Sequence, residues 1–193
     1  MSEPDPVQIA LLVGRILEQL GIRYLLGGSL ASVAFGEPRA TLDVDLAVDL
    51  SETSARAFFG AVRDEFLVDE EWAQEEVAKR GSFQMVHRES VIRVDVFVPP
   101  WEGLHAWKWL RRQRVELGSG GDSLCVTSPE GIVLQKLVWY RSGDQASDRQ
   151  WRDVLGVLKA QSGRMDLREM RMPAEVAGVA DLLRKAIKEA GLS

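Results

Sequence analysis

Cysteine is nearly absent from this chain, and so are long apolar runs. Cys125 is the only cysteine among 193 residues, which excludes an intrachain disulfide and favours a reducing compartment. No apolar stretch is long enough to span a bilayer, and the N-terminal segment MSEPDPVQIA lacks the basic region and the apolar run of a secretory signal. We therefore expect a cytoplasmic protein that has no membrane partner.

An excess of positive charge is also lacking, because the formal net charge is −5 at pH 7. This balance argues against tight nonspecific binding of nucleic acid, which needs a large basic surface. The basic segment 108–114 is the one candidate patch for nucleic acid, and it fits the solvated face of a helix equally well. The two histidines, His87 and His105, are isolated and show no metal-ligand spacing.

The sequence does contain enough apolar material for a packed core, since 46% of its residues are hydrophobic and 27% are charged. Alternating segments predict strands before Ser128, and helical periodicity dominates after it, with the last helix expected over 174–190. These patterns predict an α/β (α+β) fold, in which a mixed sheet of about five strands is flanked by helices. We expect two parts, a core over 1–127 and a helical C-terminal subdomain over 128–193.

Two aspartates lie on the strand predicted over 41–49, in which polar and apolar residues alternate strictly. Asp43 and Asp45 are two positions apart, so their Cβ atoms share a face and lie about 6–7 Å from each other, while Leu42 and its apolar neighbours bury the opposite face. Asp95 occupies a similar position on a later strand. We identify no cationic partner for these carboxylates in the two strands, and three such charges brought together call for a divalent ion such as Mg²⁺.

A glycine turn precedes this strand. Gly27, Gly28 and Ser29 lie between a short predicted strand and a predicted helix, and the N–H groups at a helix N-terminus favour phosphate. Each feature alone has a plain structural explanation, because strand–helix junctions commonly use glycine and a lone Asp-x-Asp is often a solvated sheet face. The order of strand, glycine turn, helix, arginine, Asp-x-Asp strand and later aspartate strand is more specific than its parts.

These residues resemble the DNA polymerase β-like nucleotidyltransferase superfamily. The family pattern is a Gly-Ser turn, a short gap, an Asp-x-Asp between apolar residues and a third carboxylate on a later strand. Here Gly28 and Ser29 are followed by thirteen residues and then by Asp43 and Asp45, and Asp95 supplies the third carboxylate. The resemblance predicts a nucleotidyltransferase-type core.

The wider segment GGSLASVAFGEPRATLDVDL looks like the branch that contains small bacterial transferases and abortive-infection toxins of the AbiEii type. A later stretch is similar to that branch's helical motif, in which a lysine helix precedes a helix with Arg-Asp, and it matches Lys136 and Arg152-Asp153. From the residues alone, Lys136 either faces a cleft or extends to solvent. Asp153 either faces the cleft or pairs with Arg149 or Arg152.

The resemblance implies transfer of a nucleoside monophosphate from a nucleoside triphosphate to an acceptor hydroxyl. It implies two Mg²⁺ ions, with Mn²⁺ as the alternative ion, held by the catalytic residues Asp43, Asp45 and Asp95. The nucleotide or its phosphates would be bound by six residues: Gly27, Gly28, Ser29, Arg39, Lys136 and Asp153.

The acceptor stays open among an RNA or tRNA end, a protein hydroxyl and a small molecule such as an aminoglycoside. If the chain is the toxin of a toxin–antitoxin system, an antitoxin protein is a further partner. A catalytically silent nucleotidyltransferase-fold module, acting as an antitoxin or scaffold, is the main alternative, and the intact aspartate triad argues against it. A metal-dependent hydrolase or nuclease on another fold would also cluster carboxylates, but it would not need the glycine turn.

Overall fold

The computed structural model of the protein describes residues 5–36, 41–117 and 121–192, and the chain divides into two compact units. The first unit comprises Met1–Leu30, Ala40–Trp101 and Gln113–Val126, and the second comprises Ala31–Arg39, Glu102–Arg112 and Thr127–Ser193. The second unit thus includes two earlier segments besides the C-terminal region. The division into 1–127 and 128–193 stays a prediction.

The strands all belong to the first unit. They are β1 Tyr24–Leu26, β2 Asp43–Val48, β3 Phe66–Leu67, β4 Ser82–His87, β5 Arg93–Phe97, β6 Gln113–Glu116 and β7 Ser123–Val126. They form one sheet in the order β3-β4-β5-β2-β1-β7-β6. The β2–β5 and β1–β7 pairs are parallel, and the other neighbouring pairs are antiparallel. The predicted mixed sheet is confirmed, with seven strands in place of about five.

The helices are α1 Pro6–Gln19, α2 Gly28–Phe35, α3 Glu52–Val62, α4 Glu70–Ala78, α5 Gly103–Leu110, α6 Pro129–Ser142, α7 Asp148–Ala160, α8 Arg171–Val176 and α9 Ala180–Glu189. The first unit contains α1, α3 and α4, and the second contains α5 to α9, while α2 begins in the first and ends in the second. In the part of the chain that the structure describes, no helix is long and apolar enough to cross a membrane.

One face of the sheet carries the core of the first unit. The neighbouring strands β2 and β5 contribute five fully buried side chains: Val44, Leu46, Val48, Val94 and Val96. On β4, Phe83 pairs in register with Val96 and meets the ring of Phe59 on α3 edge-on, with 5.5 Å between ring centroids. Because successive side chains of a strand alternate between faces, burial of these residues leaves the residues between them on the opposite face.

Strand β2 begins two residues later than the sequence predicted. It starts at Asp43, and Leu42 is exposed, so the expectation that Leu42 joins the buried face is wrong. Alternation predicts which face a residue points to only while the chain remains extended within the sheet. The two-residue strand β3 was not predicted, because two positions are too few to show a period.

The helix expected over 174–190 is divided into α8 and α9. Gly178 has a φ of +70°, a left-handed conformation that glycine adopts without strain. The N–H of Val179 donates to the carbonyl oxygen of Ala174 at 2.8 Å, which completes a C-terminal motif that ends α8.

Candidate active site

The three predicted aspartates lie on two adjacent strands. In the parallel pair β2 and β5, Asp45 is the register partner of Asp95, and Asp43 is the register partner of Arg93. Neighbouring strands are about 4.8 Å apart, so register partners lie side by side on one face. All three aspartates are half-buried. The expected placement of Asp43 and Asp95 on neighbouring strands is therefore present.

The glycine turn is packed directly against Asp45. The N–H of Gly27 donates to the backbone carbonyl oxygen of Asp45 at 2.9 Å, so this N–H is already engaged. Gly28 has a φ of +57°, and a Cβ atom at this position would lie 1.9 Å from Asp45 Oδ2. Both the backbone conformation and the carboxylate therefore require glycine. Ser29 follows, half-buried, in the first turn of α2, while Arg39 lies outside the described residues.

A cation lies between two of the carboxylates. Arg93 on β5 places Nη2 3.1 Å from Asp43 Oδ1 and Nε 3.3 Å from Asp95 Oδ2. The expectation that the two strands offer no cationic partner is therefore wrong. Sequence reasoning could have found it, because Arg93 and Asp95 are two positions apart on a strand and so share a face. We call Asp43, Asp45, Asp95 and Arg93 the carboxylate cluster.

The members of the carboxylate cluster differ in their access to solvent. The Arg93 side chain is 44% exposed, that of Asp43 is 39% exposed and that of Asp95 is 16% exposed. The Oδ1 atom of Asp95 is buried and accepts no hydrogen bond from any residue that the structure describes. A buried carboxylate oxygen without a partner is costly, and it favours the approach of a cation or of a hydrogen-bond donor from a ligand.

The carboxylate oxygens of the cluster are suitable ligands for a divalent ion, but their present positions do not form a binding site for one. Carboxylate oxygens are ligands that Mg²⁺ prefers, and Asp95 offers an unsatisfied one. Yet within residues 5–36, 41–117 and 121–192, no three His, Cys, Asp or Glu side chains are placed so that they could hold one metal ion. The metal ligands Asp43, Asp45 and Asp95 therefore stay a prediction.

Two further predicted residues, Lys136 and Asp153, pair with each other in the second unit. Lys136 on α6 is 2% exposed, and its Nζ lies 2.8 Å from Asp153 Oδ2 on α7 and 3.1 Å from Gln150 Oε1. Lys136 therefore does not extend to solvent, and a carboxylate already supplies an anion for it. The sequence did not reveal this pair, because the two residues meet only when α6 packs on α7. Their contact with a nucleotide stays a prediction.

The basic segment 108–114 is not a continuous cationic surface. Lys108 is 4% exposed and donates to Gln135 Oε1 at 2.6 Å. Arg111 pairs with Glu169, and Arg114 pairs with a glutamate of α1. Burial lowers the pKa of Lys108 to about 8. Most of the segment's charge is thus buried or neutralised by carboxylates.

Comparison with known proteins connects this geometry to a fold. No family model and no curated protein sequence matches the chain. A nucleotidyltransferase-like protein from Paracoccidioides brasiliensis has a similar structure, with a TM-score of 0.57 and 16% identity over 95% of this chain and 92% of that chain.

Two antibiotic-related structures are also similar. ANT(2″)-Ia in complex with adenylyl-2″-tobramycin has a TM-score of 0.59 and 11% identity over 89% of this chain and 96% of that one. The lincosamide antibiotic adenylyltransferase LnuA has a TM-score of 0.52 and 13% identity over 80% and 96%. The chain has a nucleotidyltransferase-like fold. The narrower resemblance to the AbiEii-type branch stays a prediction.

Proposed function

We propose that the chain is a metal-dependent nucleotidyltransferase that transfers a nucleoside monophosphate from a nucleoside triphosphate to a hydroxyl group of a small molecule. The observation that carries this proposal is the position of Asp45, which packs against Gly28 and is the register partner of Asp95. Gly28 begins α2, and a helix N-terminus favours phosphate. Two neighbouring carboxylates favour the binding of a divalent cation, which also binds the phosphates of a nucleoside triphosphate.

The reaction needs a base, a phosphate site and charge neutralisation. The acceptor oxygen bonds to the α-phosphorus, the bond from this phosphorus to the bridging oxygen breaks, and pyrophosphate leaves. Asp95 Oδ1 is suited to take the hydroxyl proton, because no described residue donates a hydrogen bond to it. Gly28 and Ser29 would hold phosphates at the start of α2. Divalent ions bound to Asp43, Asp45 and Asp95 would lower the pKa of the hydroxyl and offset the triphosphate charge.

Charge favours a small-molecule acceptor over RNA. The net charge is −5, and the basic segment 108–114 has a buried lysine and two arginines in ion pairs. Little cationic surface is therefore left in this segment for a phosphate backbone. Two proteins of similar fold are described as a lincosamide adenylyltransferase and as a complex with adenylyl-2″-tobramycin, both of which concern antibiotics. The toxin role and the antitoxin partner stay predictions.

A second candidate is a catalytically silent module. One observation favours it, namely that Arg93 already pairs with Asp43 and Asp95. In a silent module this pairing would be permanent, and the cluster would bind no divalent ion. In the transferase the pairing must be reversible.

The test incubates the purified chain with α-³²P-labelled nucleoside triphosphates and Mg²⁺ or Mn²⁺. Separate reactions contain hydroxyl-rich antibiotics, total RNA or cell protein. We expect label on a small molecule, release of pyrophosphate and no transfer in excess chelator. Label only on RNA or protein would overturn the acceptor class and retain the reaction. An absence of transfer to every acceptor, together with an absence of Mn²⁺ binding, would favour the silent module.

A further inference from the structure

We propose that Arg93 competes with the divalent ion for the carboxylate cluster. Its guanidinium holds Asp43 and Asp95 in the metal-free protein and has to leave them before these carboxylates bind metal. The inference rests on the proposed function, since it concerns the same site. It gives Arg93 a role in positioning Asp43 and Asp95, although Arg93 takes no direct part in the reaction.

Arg93 occupies oxygen atoms of two of the three predicted metal ligands. Two different nitrogens of one side chain contact one oxygen of Asp43 and one oxygen of Asp95. Any ion bound by these two aspartates would approach the same negatively charged groups. Metal binding by Asp43 and Asp95 would therefore require Arg93 to move away from them.

The ion pairs that Arg93 makes with Asp43 and Asp95 are open to solvent. Asp45 is confined by packing, because Gly28 lies close to its side chain and to its Cβ atom. Asp43 and Asp95 form ion pairs with Arg93, whose side chain is 44% exposed. Exposed ion pairs are weak and are screened by salt, so a divalent ion has the means to displace the guanidinium.

Arg93 leaves one oxygen of Asp95 unsatisfied. Arg93 contacts Asp95 Oδ2, whereas Asp95 Oδ1 is buried and accepts no hydrogen bond across the described ranges. The guanidinium thus satisfies one oxygen of this carboxylate and leaves the other without a partner. Such a half-satisfied carboxylate fits a temporary counterion better than a permanent structural pair.

The test measures the binding of Mn²⁺ alone, without nucleotide, by electron paramagnetic resonance of the unbound ion. We expect Arg93→Gln to bind Mn²⁺ roughly 2- to 5-fold more tightly than the wild type, because the competing exposed ion pairs are gone. Arg93→Lys, which retains one mobile positive charge, should be intermediate. Arg23→Gln is the matched control, since it removes the same charge from an arginine that pairs with Asp49, and its Mn²⁺ affinity should be unchanged.

A second readout separates competition from a purely structural role. Without metal, Arg93→Gln should melt about 2–4 °C below the wild type, because two carboxylates lose their counterion, and Mn²⁺ should restore the difference. If the wild type binds Mn²⁺ and Arg93→Gln binds it equally or less tightly, the inference is overturned and the proposed function stands. If neither protein binds Mn²⁺, both are overturned.

Discussion

Two buried lysines of the second unit contrast with the exposed arginine of the carboxylate cluster in the first unit. In the helical second unit, Lys136 is buried against Asp153, and Lys108 is buried against a glutamine. In the first unit, Arg93 is 44% exposed and is shared by two carboxylates. Burial of a charge costs solvation and strengthens its attraction to a fixed partner, whereas a charge that exchanges its partner needs access to solvent. The difference points to the carboxylate cluster as the place where ligands bind.

Removal of one cation from each region should show the largest difference. Lys136→Met leaves the carboxylate of Asp153 buried without this cation, and we expect a loss of about 3–5 kcal/mol in the free energy of unfolding. Arg93→Gln removes exposed ion pairs and should cost less than about 1 kcal/mol. Urea denaturation of both variants measures the two losses.

A double variant provides the control for this comparison. Asp153→Leu combined with Lys136→Met removes both charges, so it should recover a large part of the loss caused by Lys136→Met alone. Equal losses for Lys136→Met and Arg93→Gln would show that the buried ion pair of Lys136 contributes no more to stability than the exposed ion pairs of Arg93, which contradicts the predicted difference.

The burial of Lys108 should appear as a pH dependence of stability. Burial lowers its pKa from 10.5 to about 8, so the unfolded chain binds more protons than the folded one between these values. Stability should therefore rise as pH increases from 8 towards 10, by a total on the order of 3 kcal/mol if the whole range to the unfolded pKa were covered. Lys108→Met should remove this rise.

Unfolding measurements at pH 8, 9 and 10 test this prediction. Higher pH is avoided, because burial raises the pKa of Tyr24, which makes the folded state less favourable once the unfolded tyrosine ionises. Lys79→Met is the control, since the Lys79 side chain is 62% exposed and pairs with Glu75. A rise of the same size in the wild type and in Lys108→Met would show that Lys108 is not its source.

Two glycines with the same backbone strain offer the most selective test of the first unit. Gly28 and Gly21 have φ values of +57° and +67°, so alanine strains either position by a similar amount. Only at Gly28 would the added Cβ overlap Asp45, since no atom lies within 4 Å of a Cβ at Gly21. We expect Gly28→Ala to lower kcat/KM for transfer roughly 100-fold, and Gly21→Ala to leave it unchanged. Similar losses of kcat/KM in both variants would show that backbone strain alone explains the effect of Gly28→Ala.

Much of the sheet was predictable from the sequence, because its signals are local. Alternation around Asp43, Asp45 and Asp95 predicted the two strands and the face that carries the carboxylates, and the buried valines between them enforce that face. The same rule applied to Arg93 would have given its position. The strand that carries Arg93 was predicted correctly, and only the positive charge of this residue was overlooked.

The remaining features depend on packing between distant elements. The pairing of Lys136 with Asp153 arises from the contact of α6 with α7, which no local period encodes. The contact of Gly28 with Asp45 requires β1 to lie beside β2. Tertiary contacts of this kind override or complete what propensity predicts.

A comparison of Asp45→Asn with Asp49→Asn would show whether the carboxylate cluster performs nucleotidyl transfer. Both substitutions remove one negative charge at nearby positions of the chain, but Asp49 pairs with Arg23 and has no part in the cluster. With the acceptor found in the labelling screen and Mg²⁺ present, pyrophosphate release is measured for both variants and the wild type. We predict a roughly 100- to 1,000-fold loss for Asp45→Asn and a wild-type rate for Asp49→Asn. Wild-type activity in Asp45→Asn would show that the carboxylate cluster does not perform the transfer.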